Sequence, residues 1–98
     1  MNRTEAAALL RAYLEPYRRQ SHEELQQLLQ APVADEVVAP SGKRYQVQVQ
    51  AAWTEAPGGE LRVVGGIDDS GWQTFTPLLE SFTVAPPAAE PAGAGANQ

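Results

Sequence analysis

The stretch YQVQVQAAWT, residues 45–54, carries the clearest secondary-structure pattern in the sequence. Tyr45, Val47, Val49, Ala51 and Trp53 alternate with residues of a different character, and this period of two is typical of a strand with one buried face. Glutamines fill three of the positions in between, at Gln46, Gln48 and Gln50. The pattern predicts a half-buried antiparallel strand with a wet glutamine face.

Further strands are predicted on both sides of this one. The turn residues Pro40-Ser41-Gly42 precede it, and Ala56-Pro57-Gly58-Gly59 follow it. Gly65 and Gly66 fall inside the next strand, where they favour a bulge or a close approach of another chain segment. The predicted strands are residues 33–39, 45–54, 61–67 and 72–75, with Pro77 ending the last and a further edge segment at 81–84.

Two helices are predicted before the first strand. Thr4 is expected to cap a helix that runs from Glu5 to Leu14, and Pro16 then kinks this helix or separates it from the next. Ser21 and Glu24 form a capping-box signature, which predicts a second helix over residues 22–30.

The order of these elements defines the fold class. We predict an α+β fold, in which an N-terminal helical pair packs on an antiparallel β-meander of three to five strands. A chain of 98 residues suits one domain. We expect that domain to cover residues 1–84, and the Pro/Ala/Gly-rich stretch 85–98 to be a disordered tail.

Charge and composition exclude several function classes. The formal net charge is −5, and Arg62 is the one basic residue after position 44. An acidic surface of this kind repels phosphates, so nucleic-acid binding is not expected. The absence of cysteine excludes disulfides and thiolate chemistry and fits a cytoplasmic location. The chain contains no apolar window long enough to span a membrane.

Asp68 and Asp69, in the densest stretch GGIDDSGW (residues 65–72), allow two interpretations. They belong to a hairpin turn that Gly71 closes, which the turn chemistry favours. Alternatively they join Glu80, and Glu60 as a further candidate, in a cation site or an acid–base pair. Adjacent residues of a strand point to opposite faces, which weakens the second interpretation.

Other candidate binding residues are the aromatic side chains and the glutamine row. Trp53 and Trp72 are expected either in the core or in contact with a partner. The glutamine face is either plain solvent surface or a partner surface, and its strand is a candidate for strand addition if it lies at an edge. His22 follows a helix cap, where we expect it to be solvated and not catalytic. No catalytic group, metal ligand set or cofactor is predicted.

A longer pattern resembles a family of small bacterial proteins that carry a domain of unknown function. It runs Ser-Gly-x-x-Tyr, a Gly-Gly turn, Ile-Asp-Asp-x-Gly-Trp, and Pro-Leu-x-x-Ser-Phe. The resemblance covers about half of the chain and implies that the C-terminal tail lies outside the shared domain; it implies no activity. The matching residues are Ser41, Gly42, Tyr45, Gly58, Gly59, Ile67, Asp68, Asp69, Gly71, Trp72, Pro77, Leu78, Ser81 and Phe82.

The sequence therefore favours a non-enzymatic module that binds another protein, with the acidic sheet half meeting a basic partner. By charge alone, immunity proteins and antitoxins are analogous. The alternative is a small hydrolase or divalent-cation-binding protein that uses Asp68, Asp69 and Glu80. A homodimer through Tyr13, Leu14 and Tyr17 is a third prediction.

Overall fold

A computed structural model describes residues 2–69 and 77–87. Its described strands form one antiparallel sheet in the order β1-β2-β3-β4, so that each strand pairs with its neighbour along the chain. This confirms the predicted α+β fold with helices first and a meander afterwards. The elements are α1 (Arg3–Arg18), α2 (His22–Leu25), a 3₁₀ turn (Gln26–Leu29), β1 (Val33–Val38), β2 (Arg44–Trp53), β3 (Leu61–Asp68) and β4 (Leu78–Val84).

Helix α1 is longer at both ends than the predicted span of Glu5 to Leu14. Its cap is Asn2 and not Thr4, because the Asn2 side chain accepts a hydrogen bond of 3.0 Å from the amide of Glu5. The helix also continues through Pro16. Pro16 sits in the last turn of the helix. Because proline has no amide hydrogen, the helix loses one backbone hydrogen bond, and this loss falls near the end of the helix.

The second helix begins as predicted and ends differently. Both hydrogen bonds of the capping box are present: the Glu24 amide donates to Ser21 Oγ at 3.0 Å, and the Ser21 amide donates to the Glu24 carboxylate at 2.9 Å. After one α-helical turn the chain tightens into the 3₁₀ turn, which ends at Leu29, one residue before the predicted end.

The alternating faces of β2 and β3 are confirmed. Val47 lies opposite Ile67, and both are fully buried. The register of β2 and β3 is continuous from one end to the other, so Gly65 and Gly66 form no bulge. Gly65 instead allows a close approach, because a Cβ atom there would lie 2.9 Å from two carbon atoms of Leu14.

Strand β4 starts directly after Pro77, three residues before the predicted edge segment. The predicted strand 72–75 lies outside the described residues. Gly42 takes a positive φ of 88°, as a turn residue without a side chain can. Residues 85–87 are exposed and carry no regular structure, and the rest of the predicted tail lies outside the described residues.

The helices cover one face of the sheet and form the core with it. Leu10 and Leu14 of α1 share one buried cluster with Val63 and Ile67 of β3, and the 3₁₀ turn packs on β2. Among residues 2–69 and 77–87, no helix packs on the opposite face of the sheet, and its side chains are exposed or half-buried. Of the helices that the structure describes, none has the length and apolar character needed to cross a membrane.

Candidate functional site

The uncovered side of the sheet is the first candidate site, and we call it the open face. Its centre is formed by alternate residues of β2 and β3, which project away from the helices. Val38 and Leu79 lie on the same side at the outer strands, where they are 58% and 68% exposed. The central residues of the open face are Gln46, Gln48, Gln50, Val64, Gly66 and Asp68.

A shallow groove of about 70 Å³ crosses the open face. Its floor lies at Gly66, which pairs with Gln48 on one side and Leu79 on the other. A Cβ atom on Gly66 would lie 3.1 Å from a Leu79 methyl carbon, so the absence of a side chain keeps the groove open. Sites for small-molecule ligands usually enclose about 300–1,000 Å³, which makes this groove too small for one.

The three predicted carboxylates do not come together. Asp68 is half-buried on the open face, opposite Gln46, and lines the groove. Glu80 lies on the helix-covered face of β4, opposite Gly65, and forms an ion pair of 2.9 Å with Arg18. Among residues 2–69 and 77–87, no group of three or more histidine or acidic side chains could hold a metal ion.

Asp69 belongs to a separate polar cluster. Its carboxylate lies 3.7 Å from the Lys43 ammonium group and its side chain is only 14% exposed. The neighbouring Tyr45 is fully buried, and its hydroxyl donates a hydrogen bond of 3.0 Å to Glu5. Ser41 donates to the same Glu5 oxygen at 3.0 Å, so this cluster ties the start of α1 to the turn between β1 and β2.

The phenols of Tyr13 and Tyr45 are hydrogen-bond donors and not bases. Burial, followed by the hydrogen bond to Glu5, raises the pKa of Tyr45 above its ordinary value. Burial and the hydrogen bond to Asp35 raise the pKa of Tyr13 to about 12. Both side chains therefore stay protonated near neutral pH, where neither can act as a nucleophile.

The expectation that His22 is solvated was wrong. His22 is 7% exposed, and its Nε2 atom donates a hydrogen bond of 2.7 Å to the Gly59 carbonyl. Since Nε2 carries the proton, Nδ1 accepts from the Gln26 amide at 3.2 Å. His22 thus joins α2 to the turn between β2 and β3. In the sequence, the one indication of where His22 lies was the Ser21–Glu24 capping box, which places His22 in the first turn of α2.

A second depression of about 260 Å³ lies beside His22, between the start of α2 and the end of β4. It is larger than the groove, but both ring nitrogens of its only imidazole are occupied. The imidazole is therefore held within its own chain; the lining residues are Gln20, Ser21, His22, Glu23, Val84, Ala85 and Pro87.

The remaining predicted residues lie apart from the groove. Trp53 is half-buried at the end of β2, with its ring 5.7 Å from that of His22, and packs on the core. Glu60 is exposed, and its backbone carbonyl accepts a hydrogen bond from the Thr54 amide. Trp72 and Gly71 lie outside the described residues. The binding roles of Trp53, Trp72, Asp68, Asp69 and Glu80 stay predictions.

Comparison with known proteins found no matching protein family, no similar curated protein and no similar solved structure. The resemblance to the family of small bacterial proteins therefore stays a prediction.

Proposed function

We propose that this protein is a non-enzymatic module that binds another protein through its open face. One observation carries the proposal. Val38 and Leu79 are the large hydrophobic residues with high exposure in the described part of the chain, and both lie on the side of the sheet that no helix covers. Val38 and Leu79 lie on opposite outer strands with the glutamine row between them, so a partner that covers both must span the open face.

The chemistry of the open face supports a protein partner. Its glutamine amides both donate and accept hydrogen bonds, so they can pair with polar groups of a partner surface. The charge of Arg44 is partly offset by Glu36, which lies 3.0 Å away on the same face. The central glutamines and Val64 carry no charge, and the centre of a protein interface is depleted of charged residues.

The acidic residues support a partner with a basic group near the groove. Asp68 lines the groove beside the aliphatic side chains of Val64 and Leu79. A lysine or arginine side chain of the partner could place its charge by Asp68 and its methylene groups on these two residues. We propose a cytoplasmic location for this interaction, from the absence of cysteine.

The alternative of a hydrolase or divalent-cation-binding protein receives no support from the placement of its residues. Asp68 and Glu80 lie on opposite faces of the sheet, although a hard cation needs several oxygens converging on one point. The proposal of a protein-binding module is therefore preferred.

Affinity capture from an extract of the source cell tests the proposal, using the wild-type chain beside Gln48→Arg. Gln48 is exposed at the centre of the open face, so its replacement should leave the fold intact. Gln27→Arg makes the same chemical change on the exposed side of the 3₁₀ turn and serves as the control. The captured protein is then purified, and its dissociation constant is measured for all three chains.

We expect Gln48→Arg to weaken binding at least about tenfold, as loss of a central interface contact does. Gln27→Arg should leave the dissociation constant unchanged. Equal affinity of the two variants, or no specific partner at all, would count against the open face as the binding surface.

A further inference from the structure

The two outer strands of the sheet differ in how they are protected. Exposed sheet edges usually carry charges that discourage pairing with another chain. Strand β1 carries Asp35 and Glu36 at its centre, and both are exposed. In β4 the one charged residue is Glu80, which is half-buried and pairs with Arg18, so this edge carries fewer exposed charges than β1. In the described part of the chain, no strand lies beyond β4.

Strand β4 is also compatible with a copy of itself. Its seven residues are centred on Ser81, so antiparallel pairing about a twofold axis at Ser81 uses the whole strand. This register places Leu79 opposite Thr83 of the second copy. The exposed Leu79 side chain would then have a neighbour within about 5 Å between Cβ atoms.

On the covered face the same register brings opposite charges together. It places Glu80 of one copy opposite Phe82 of the other. The Arg18 guanidinium lies 4.7 Å above the Phe82 ring and 2.9 Å from its own Glu80. Each Arg18 would therefore reach the second copy's Glu80 as well, and two arginines and two glutamates would surround the axis with no net charge.

We infer that the protein forms a homodimer by antiparallel pairing of β4 with β4 of a second copy, which joins the two sheets into one of eight strands. This surface is the edge of the sheet and differs from the helical surface of Tyr13, Leu14 and Tyr17. Leu14 is fully buried in the core, so that surface would offer only the two tyrosines. The dimer is measured on purified protein alone and stands apart from the proposed binding function.

The first test is the mass of the full chain in solution, by sedimentation equilibrium. We expect twice the chain mass of 10.5 kDa. Ser81→Lys sets like charges facing each other at the axis and should halve the mass, whereas Ala34→Lys adds the same charge to the same face at the β1 edge and should not. A 10.5 kDa particle at protein concentrations up to about 1 mM would overturn the inference.

The second test fixes the register by disulfide formation, since the chain has no cysteine of its own. At the axis, two Ser81→Cys residues would have Cα atoms about 4.5–5.5 Å apart, within the span of a disulfide. Two Thr83→Cys residues would lie about 13 Å apart in the same dimer.

We expect Ser81→Cys to cross-link at least tenfold faster under mild oxidation than Thr83→Cys or Ala34→Cys. Equal rates would overturn the proposed register even if the particle is a dimer. A monomeric mass for both lysine variants would contradict pairing at the β4 edge, because Ala34 lies in β1 at the other edge of the sheet.

Discussion

The side chain of Leu14 packs directly against the backbone of Gly65. A Cβ atom on Gly65 would lie 2.9 Å from both terminal methyl carbons of Leu14 and 3.1 Å from one of Leu10. This contact sets α1 close against β3, and it fixes which face of the sheet the helices cover. The open face on the other side follows from it.

Gly65→Ala is therefore expected to destabilise the protein by about 1–3 kcal/mol, as overpacking of a filled core does. Gly66→Ala is the matched control, because its added Cβ would meet the flexible and exposed Leu79. We expect that control to change stability by about 0.5 kcal/mol or less. Urea unfolding measures the free energy of unfolding of both variants. Equal losses of stability would show that the contact between Gly65 and Leu14 does not limit the side chain at position 65.

A second prediction concerns His22. His22→Ala leaves the Gly59 carbonyl without its donor and should cost about 1–3 kcal/mol. His22→Phe keeps a ring against Trp53 but cannot donate, so we expect it to lose stability as well. Gln27→Ala, at an exposed position nearby, should be neutral. Unfolding midpoints equal to that of the wild type for both His22 variants would contradict the structural role.

The hydrogen-bonded tyrosines Tyr13 and Tyr45 predict a loss of stability in alkali. The pKa of Tyr13 is raised to about 12 in the folded protein, and the pKa of Tyr45 is raised as well, whereas unfolded tyrosine titrates near 10. Above pH 10 the unfolded state therefore binds fewer protons, so the free energy of unfolding falls as pH rises from about 10 towards 12. Below pH 10 this contribution is fully present.

Urea midpoints measured between pH 9 and 12 check this prediction. Tyr13→Phe and Tyr45→Phe should each flatten the decline, because each removes one group whose pKa rises on folding. The difference in tyrosinate absorbance between the wild type and Tyr13→Phe should have its midpoint near pH 12. A midpoint near 10 would show that the Tyr13 hydroxyl is not held by Asp35.

Divalent cations are expected to bind weakly or not at all. The carboxylates of Asp68 and Glu80 lie on opposite faces of the sheet, and the Asp69 carboxylate forms an ion pair with the Lys43 ammonium group. We expect calorimetric titration with Ca²⁺ or Mg²⁺ to give dissociation constants no tighter than about 1 mM, and Asp68→Asn to leave them unchanged. Micromolar binding by the wild type that is lost in Asp68→Asn would instead support a cation site at Asp68.

Much of the fold was predictable because local patterns and tertiary packing agree. The alternation of residues 45–54 matches the two faces of β2, and the Ser21–Glu24 capping box sets the start of α2. The end of α1 was not predictable in this way. Pro16 is unfavourable by local rules, but Tyr17 packs on the core and Arg18 meets Glu80, and both contacts depend on β4 or the core lying nearby.

The candidate site was predictable only in part. The glutamine face was identified from its period, but the separation of Asp68 from Glu80 depends on the register of β3 and β4. The burial of His22 depends on the turn at Gly59, which is 37 positions away along the chain. Local spacing patterns in the sequence cannot show a contact between residues so far apart along the chain.

Side-chain amide NMR shows whether the open face is the surface that binds a protein partner. Glutamines lie both on the open face and on the helical side, so one spectrum holds the probe and its control. On addition of the purified partner, we predict that the amide resonances of Gln46, Gln48 and Gln50 shift while those of Gln27 and Gln30 stay in place. Shifts confined to Gln27 and Gln30 would contradict the account and place the partner on the helices.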